Sequence, residues 1–219
     1  MEVLILDMAI QFIIVWMKII EMIIDKPLLN GRLHRRSIKK WDVFWETNEN
    51  YRHWCLQKNS RNDKTALVIL LNPGKLNNDA SNLSGDTTLR ILREVFNNTG
   101  VNPFIINLFD YCTPDYSVLI KNWDKQDYKY LVYEKLLPYK FIFSLFAYGL
   151  IDRNDPKYVD IISRINLIEG IFKNIPKLDF DNSCTTHPIR WQIENKKWNI
   201  HNVLLAAYKD KINDHFIIS

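Results

Sequence analysis

Short apolar runs that end in polar residues set the pattern of this chain. Leu67-Val68-Ile69-Leu70-Leu71 leads into Asn72-Pro73-Gly74, Phe104-Ile105-Ile106 into Asn107-Leu108-Phe109, and Phe141–Phe146 into Ala147-Tyr148-Gly149. A weaker run near Leu178–Phe180 precedes Thr186-His187-Pro188-Ile189-Arg190-Trp191. Apolar runs of this length bounded by turn residues predict buried strands, here at 66–71, 103–109, 140–146 and 177–180. The segments between them predict helices. Asp86 reads as an N-cap for a helix reaching about Asn97, with Leu89, Leu92, Arg93 and Phe96 suiting an amphipathic face and Gly100 as its stop. Helical material follows from Ser117 to about Leu137 with a break near Trp123, then at 157–173 and at 200–212. Strands alternating with helices predict an α/β fold, with a short, mostly parallel four-stranded sheet in a three-layer α/β/α arrangement.

The first 60 residues read as an extension to a domain at 61–219. Val3 to Ile24 is apolar except for Asp7, Gln11, Lys18 and Glu21, whose spacing draws one narrow polar stripe on a helix. The uncharged stretch Met8 to Met17 is too short to span a bilayer. Glu2 also disagrees with the basic start of a signal peptide. The expectation is a helix packed on the domain or in a homodimer interface, with no membrane partner and a cytoplasmic location. After a break at Pro27 and Gly31, two aromatic segments, Trp41–Trp45 and Tyr51–Leu56, flank a polar turn and predict a hairpin.

Net charge changes this picture little. With 29 basic and 25 acidic side chains among 219 residues, the formal charge is +4, which permits nucleic-acid binding without requiring it. The basic residues cluster at Arg32, His34, Arg35, Arg36, Lys39 and Lys40. That stretch reads either as a solvated helix face or as a patch that contacts phosphates. The cysteines, Cys55, Cys112 and Cys184, are far apart, and neither they nor the five histidines have metal-ligand spacing. No metal or cofactor is expected.

In an open α/β sheet, ligand chemistry gathers outside the carboxyl ends of the strands. The four polar run-ends would therefore converge on one pocket. Their order resembles that of the uracil-DNA glycosylase superfamily over roughly residues 65–195. Leu70-Leu71-Asn72-Pro73-Gly74 looks like the Asn-Pro-Gly form of the mismatch-specific and thymine-glycosylase branch. Ile105-Ile106-Asn107 is similar to the strand that reads the base, and Ala147-Tyr148-Gly149 loosely resembles a Trp-Gly strand end. His187 and Pro188 match the start of the loop that carries an electrophilic His, and Trp191 falls on its wedge position. The chain also resembles a poorly characterised bacterial and phage family through Leu71-Asn72-Pro73, Asn107-Leu108-Phe109 and Asp86-Thr87-Thr88-Leu89-Arg90, the last with altered spacing.

The resemblance implies a monofunctional, metal-independent DNA glycosylase acting on uracil or a C5-modified pyrimidine. A role in defence against phage with modified bases is a further expectation. Asn72 would position the attacking water, although it cannot take a proton as Asp can. His187 would donate to a base carbonyl as negative charge builds there. Gly74, where strict uracil enzymes have Tyr, would leave room at C5. Asn107 would read the pyrimidine edge. No aromatic lies between Gly74 and Val95 to stack on the base, so Phe109, Tyr111 or Tyr148 would substitute. Trp191 would fill the hole left by the flipped nucleotide, and Arg190, Arg35, Arg36 and Lys39 would hold phosphates.

The plainer readings stay open beside these. Asn72 would cap its own turn, Asn107 would bond the backbone, His187 would be a loop residue, and Trp191 would pack on the next helix. At the level of function, the alternatives are a base- or nucleotide-sensing module that does not cleave, and a nucleotide N-glycosidase.

Overall fold

A computed structural model describes residues 27–62, 64–74, 83, 85–121, 129–137, 139–149, 151–178, 187–193, 200–206 and 209. The expected helix at 3–24 and the segments 75–82 and 179–186 lie outside the described residues. Six strands form one sheet: β1 (Arg32–Ile38), β2 (Trp41–Asn48), β3 (Tyr51–Asn59), β4 (Lys64–Leu70), β5 (Val101–Asn107) and β6 (Ser144–Phe146). The helices are α1 (Thr87–Phe96), α2 (Tyr116–Lys121), α3 (Lys129–Leu136), α4 (Val159–Ile171), α5 (Pro188–Ile193) and α6 (200–206). Among the described residues no helix is long and apolar enough to cross a membrane.

The α/β class holds, but the four-stranded, mostly parallel layout does not. The strand order is β1-β2-β3-β5-β4-β6. Only the β4–β5 and β4–β6 pairings are parallel; β1–β2, β2–β3 and β3–β5 are antiparallel. The expected hairpin is present as β2–β3, and β3 continues the sheet by pairing Trp54 with Ile106 and Leu56 with Phe104. Residues 32–59, expected as part of an extension, thus supply half of a continuous sheet. Of the weak fourth run, Lys177 bridges to Ser144 and the Leu178 N–H donates to Ser144 O at 2.8 Å, while residues 179 and 180 lie outside the described residues.

Alternation along β4 explains the layering. Leu67 and Ile69 belong to one core with Ile161, Ile165 and Ile168 of α4. Ala66, Val68 and Leu70 belong to a second core with Leu89, Leu92 and Phe96 of α1, Trp191 of α5 and Leu204 of α6. Successive strand side chains point to opposite faces, so the two cores lie on the two sides of the sheet. Asp86 caps α1 as expected, accepting from the Leu89 N–H at 3.0 Å.

The basic stretch Arg32–Lys40 is not a helix. It forms the edge strand β1 and the turn after it. Exposed Arg32, Arg35 and Arg36 suit an edge strand, because charge there discourages pairing with another chain. Arg35 pairs with Asp42 at 3.2 Å.

One buried carboxylate ties the chain entering β1 to the sheet. Glu46 on β2 is fully buried. Its Oε2 accepts from Leu28 N–H and Trp54 Nε1–H, both at 2.7 Å, and its Oε1 accepts from Leu29 N–H at 2.8 Å and Gly31 N–H at 2.9 Å. Backbone and carboxylate come so close that a Cβ at Gly31 would lie 2.6 Å from the Thr47 carbonyl oxygen. Lys135 on α3 adds a bond to the Leu28 carbonyl.

Glu46→Gln retains the volume but replaces one acceptor oxygen with a donor, leaving two buried N–H groups unmatched. The expected loss is about 2–4 kcal/mol in urea unfolding. An unchanged unfolding midpoint would remove this anchor from the account.

Candidate functional site

Because β4, β5 and β6 are parallel, their carboxyl ends share one edge of the sheet, and antiparallel β3 begins there. Backbone bonds stitch these ends together. Leu108 N–H donates to Leu70 O at 2.8 Å, Phe109 N–H to Leu71 O at 2.9 Å, Ala147 N–H to Ile69 O at 2.8 Å, and Arg52 N–H to Asp110 O at 2.9 Å. The His187 loop reaches the same edge: a Cβ on Gly149 would lie 4.0 Å from the His187 Cβ. Gly149 sits at φ +112°, a conformation that favours glycine. Asn72, Gly149 and His187 are therefore brought to one end of the sheet, as the order of the motifs predicts.

Asn72 is half-buried, and its side chain is already employed. Its Nδ2 donates to Thr113 O at 2.7 Å, Pro73 O at 3.0 Å and Tyr111 O at 3.4 Å. Three carbonyls around one atom fix it as the amide nitrogen, since an oxygen there would meet only acceptors. This clamp joins the exit of β4 to the exit of β5, which is the turn-capping role extended across two loops. It leaves Oδ1 as the one acceptor of the side chain. Gly74 is exposed, and a Cβ there meets nothing within 4 Å.

His187 is half-buried and precedes α5. Its Nδ1 accepts from Ile189 N–H at 3.3 Å, while its carbonyl accepts from Arg190 N–H at 2.8 Å. An accepting Nδ1 places the ring proton on Nε2 in the neutral tautomer. Burial holds the imidazole below its ordinary value of 6.5, opposed in part by the negative charge of Asp86. At neutral pH the ring is thus an uncharged Nε2–H donor.

Several expected contacts fail on burial. Phe109 is fully enclosed in the first core with the Arg164 guanidinium 4.6 Å from its ring centroid, and Tyr148 is enclosed against Phe146. Neither ring is open for stacking on a base. Asn107 is buried at the end of β5, where its carbonyl accepts from the Tyr133 hydroxyl at 3.3 Å. Trp191 is 1% exposed in the second core, so it packs on the sheet instead of forming a wedge. Arg190 is exposed beside the site.

The basic strand is displaced too. Arg32 pairs with Thr47 near the site end, but β1 then runs away from it. Lys39 follows the far end of β1, about 20 Å along at roughly 3.3 Å per residue. Its neighbour Lys40 bonds Asn98 at 3.0 Å beside the start of β5. Arg35, Arg36 and Lys39 thus point to the edge and far end of the sheet, away from the strand-end site.

Two enclosed ion pairs that the sequence reading did not anticipate occupy the site instead. Arg52 at the start of β3 pairs with Asp86 at 3.0 Å, with side chains only 4% and 8% exposed. His53 Nδ1 and Asp110 Oδ2 form a second enclosed pair at 2.9 Å. The available signal was charge inside apolar sequence: Arg52 and His53 directly precede Trp54-Cys55-Leu56. Tyr111, half-buried and edge-on to Tyr51, lines an open depression of about 600 Å³ with Asn50, Cys112, Thr113 and Asp115. Burial pushes the Cys112 thiol up to about 11, which keeps it protonated and a poor nucleophile.

The clamp predicts that Asn72→Asp is destabilising although it resembles a gain of catalytic power. A carboxylate facing three carbonyls must take up a proton or break contact, so thermal and urea unfolding should show a loss of about 1–3 kcal/mol. Wild-type stability at neutral pH would mean that the amide does not hold the two loops together.

No curated protein and no solved structure matches this chain. One family model, described as a protein of unknown function (DUF1643), matches residues 52–166. The match begins at Arg52 and takes in Asn72, Asp86 and Asp110, while His187 falls beyond it. It spans more than half of the 219 residues, and the chain therefore belongs to the DUF1643 family.

Proposed function

We propose that this protein is a monofunctional DNA glycosylase of uracil-DNA glycosylase-like, three-layer design, hydrolysing the N-glycosidic bond of uracil or a C5-modified pyrimidine. Water adds to C1′ of the sugar as the C1′–N1 bond breaks. The electron pair leaves with the base and spreads onto its carbonyl oxygens, and the water's proton finally neutralises the base. The step needs a donor where the anion develops and an acceptor to hold the water.

The observation that carries this reading is the state of His187. A neutral Nε2–H at the sheet's carboxyl edge is a donor available to an oxyanion as its charge develops. The Asn72 Oδ1 is the corresponding acceptor, oriented by its clamped amide. Open space around Gly74 supports a site that admits C5 substituents. DNA is the substrate in this proposal, and defence against phage carrying modified bases in the cytoplasm is the setting that suits it. The buried Phe109, Tyr148 and Asn107 favour a second reading, a module that senses a base without cleaving it, since they remove three expected base contacts.

Abasic-site formation in duplexes carrying uracil, thymine or a large 5-substituted cytosine separates the readings. The enzyme makes such sites, the sensor only binds, and a nucleotide N-glycosidase acts on free nucleotide alone. His187→Ala should reduce base release by about 10²–10³-fold with the fold intact. Gly74→Tyr should fold normally and lose the bulky substrate first. Undiminished base release by His187→Ala would overturn the electrophilic role.

A further inference from the structure

The Arg52 guanidinium is only half satisfied. Its Nη2 holds Asp86, yet its Nη1 is buried and has no hydrogen-bond acceptor among the described residues. A buried guanidinium N–H without an acceptor is costly, and such groups call for an explanation in a native fold. Arg93, one and a half turns or so into α1, is half-buried and senses the charge of Asp86. Among the described residues it has no carboxylate in ion-pair contact. Asp86 is the N-cap of α1 and Arg93 stands seven positions on, which returns it to the same helix face; Cys55 of β3 lies in the core with α1, within reach of all three charges.

Two cations here share one carboxylate, and that carboxylate is fully employed. Asp86 Oδ1 caps α1 and its Oδ2 holds Arg52. The other enclosed carboxylate nearby, Asp110, is engaged by His53. Arg52, Asp86 and Arg93 by themselves sum to one positive charge, partly withdrawn from water, with the carboxylates of Asp110 and Glu94 nearby. Burial draws the Arg93 guanidinium below its ordinary value, and the charges of Asp86 and Glu94 oppose that shift in part. His187 stands within reach of the same Asp86 charge.

We propose that Arg52 and Arg93 form a phosphate-binding subsite beside His187, which holds a phosphate of the nucleotide whose base His187 faces. Planar guanidinium forks match phosphate oxygens, and Nη1 of Arg52 supplies a ready donor. The subsite rests on the glycosidase reading for its substrate, and it refines that reading by saying how the sugar is positioned. The phosphate is either the 5′-monoester of a free nucleotide or a diester of a DNA strand. All three residues of the cluster lie within the segment shared with the DUF1643 family, residues 52–166.

The test uses the full chain and inorganic phosphate as its first probe. Phosphate should raise the unfolding temperature more than chloride at equal ionic strength, and Arg93→Gln should abolish that excess. Arg52→Lys, which retains a cation for Asp86 but loses the fork, should do the same while folding. Calorimetry then compares deoxyuridine, its 5′-monophosphate and a short single-stranded oligonucleotide. A tenfold to hundredfold gain for the monophosphate over the nucleoside, lost in Arg93→Gln, marks the monoester. An Arg93-dependent gain confined to the oligonucleotide marks the DNA strand. Absence of a phosphate-specific shift, or one that persists in both variants, overturns the subsite. The two proposals fail separately. Base release from DNA by Arg93→Gln at wild-type KM sinks the subsite alone, whereas Arg93-dependent phosphate binding by a protein that releases no base sinks the glycosylase alone.

Discussion

Asp86 accepts from the Leu89 backbone N–H through one carboxylate oxygen and from Arg52 through the other, at 3.0 Å in both cases. It thereby fixes the start of α1 against the start of β3, two elements more than thirty positions apart in sequence, and its charge reaches His187 ahead of α5. Buried ion pairs of this kind add little net stability compared with well-packed apolar residues, but removing one partner leaves a charge stranded at a cost of about 3–5 kcal/mol. The pair is best understood as a positional lock. It sets which face of α1 meets the sheet, and it leaves one arm of Arg52 without an acceptor at the edge where the parallel strands end.

Glu46 solves the same physical problem by another route. Its charge is met by three backbone N–H groups and an indole N–H, with no cation in ion-pair contact among the described residues. Four donors around one carboxylate replace the water it has lost, and the chain at residues 28–31 is wrapped onto β2 as a result. The antiparallel half of the sheet, β1 to β3, is thus fastened at the same end as the candidate site. A single sheet with two modes of strand pairing follows, one half closed by short turns and the other by helical crossovers.

The strands easiest to read from sequence were those buried on both faces. Leu67–Leu70 and Phe104–Ile106 are continuous apolar runs, and both became central strands, as did the aromatic hairpin. The Asp86 cap was equally legible, because its signal is local. β1 was not, since an edge strand with Arg32, Arg35 and Arg36 turned to solvent carries no apolar signature. Nor was the β3–β5 pairing, because apolar content does not specify strand direction. Within the site, Asn72 and the meeting of Gly149 with His187 followed from the rule that loops gather at strand ends. Phe109, Tyr148 and Trp191 were misassigned for a shared reason: aromatic residues beside a turn suit a ligand or a core equally well, and only burial decides. Arg52 was missed because a charge inside a hydrophobic strand looks like its polar face until its partner, distant in sequence, is known, and Glu46 because it was read into the polar turn at 46–50, whereas β2 runs on to Asn48.

The chemistry proposed for this edge depends on one proton. If Nδ1 of His187 accepts from the Ile189 N–H, the ring proton must sit on Nε2, and burial must keep the ring neutral. A folded-state value lowered from 6.5 means that protonation is disfavoured in the native state, so this residue costs no stability above 6.5 and lowers it as pH falls toward the folded value. Long-range ¹H–¹⁵N NMR of the imidazole nitrogens, followed through a pH titration, tests this directly. The account predicts a neutral ring with a protonated Nε2 and an unprotonated Nδ1 at neutral pH, and a protonation midpoint below 6.5. A proton on Nδ1, or a ring already cationic at neutral pH, would contradict it.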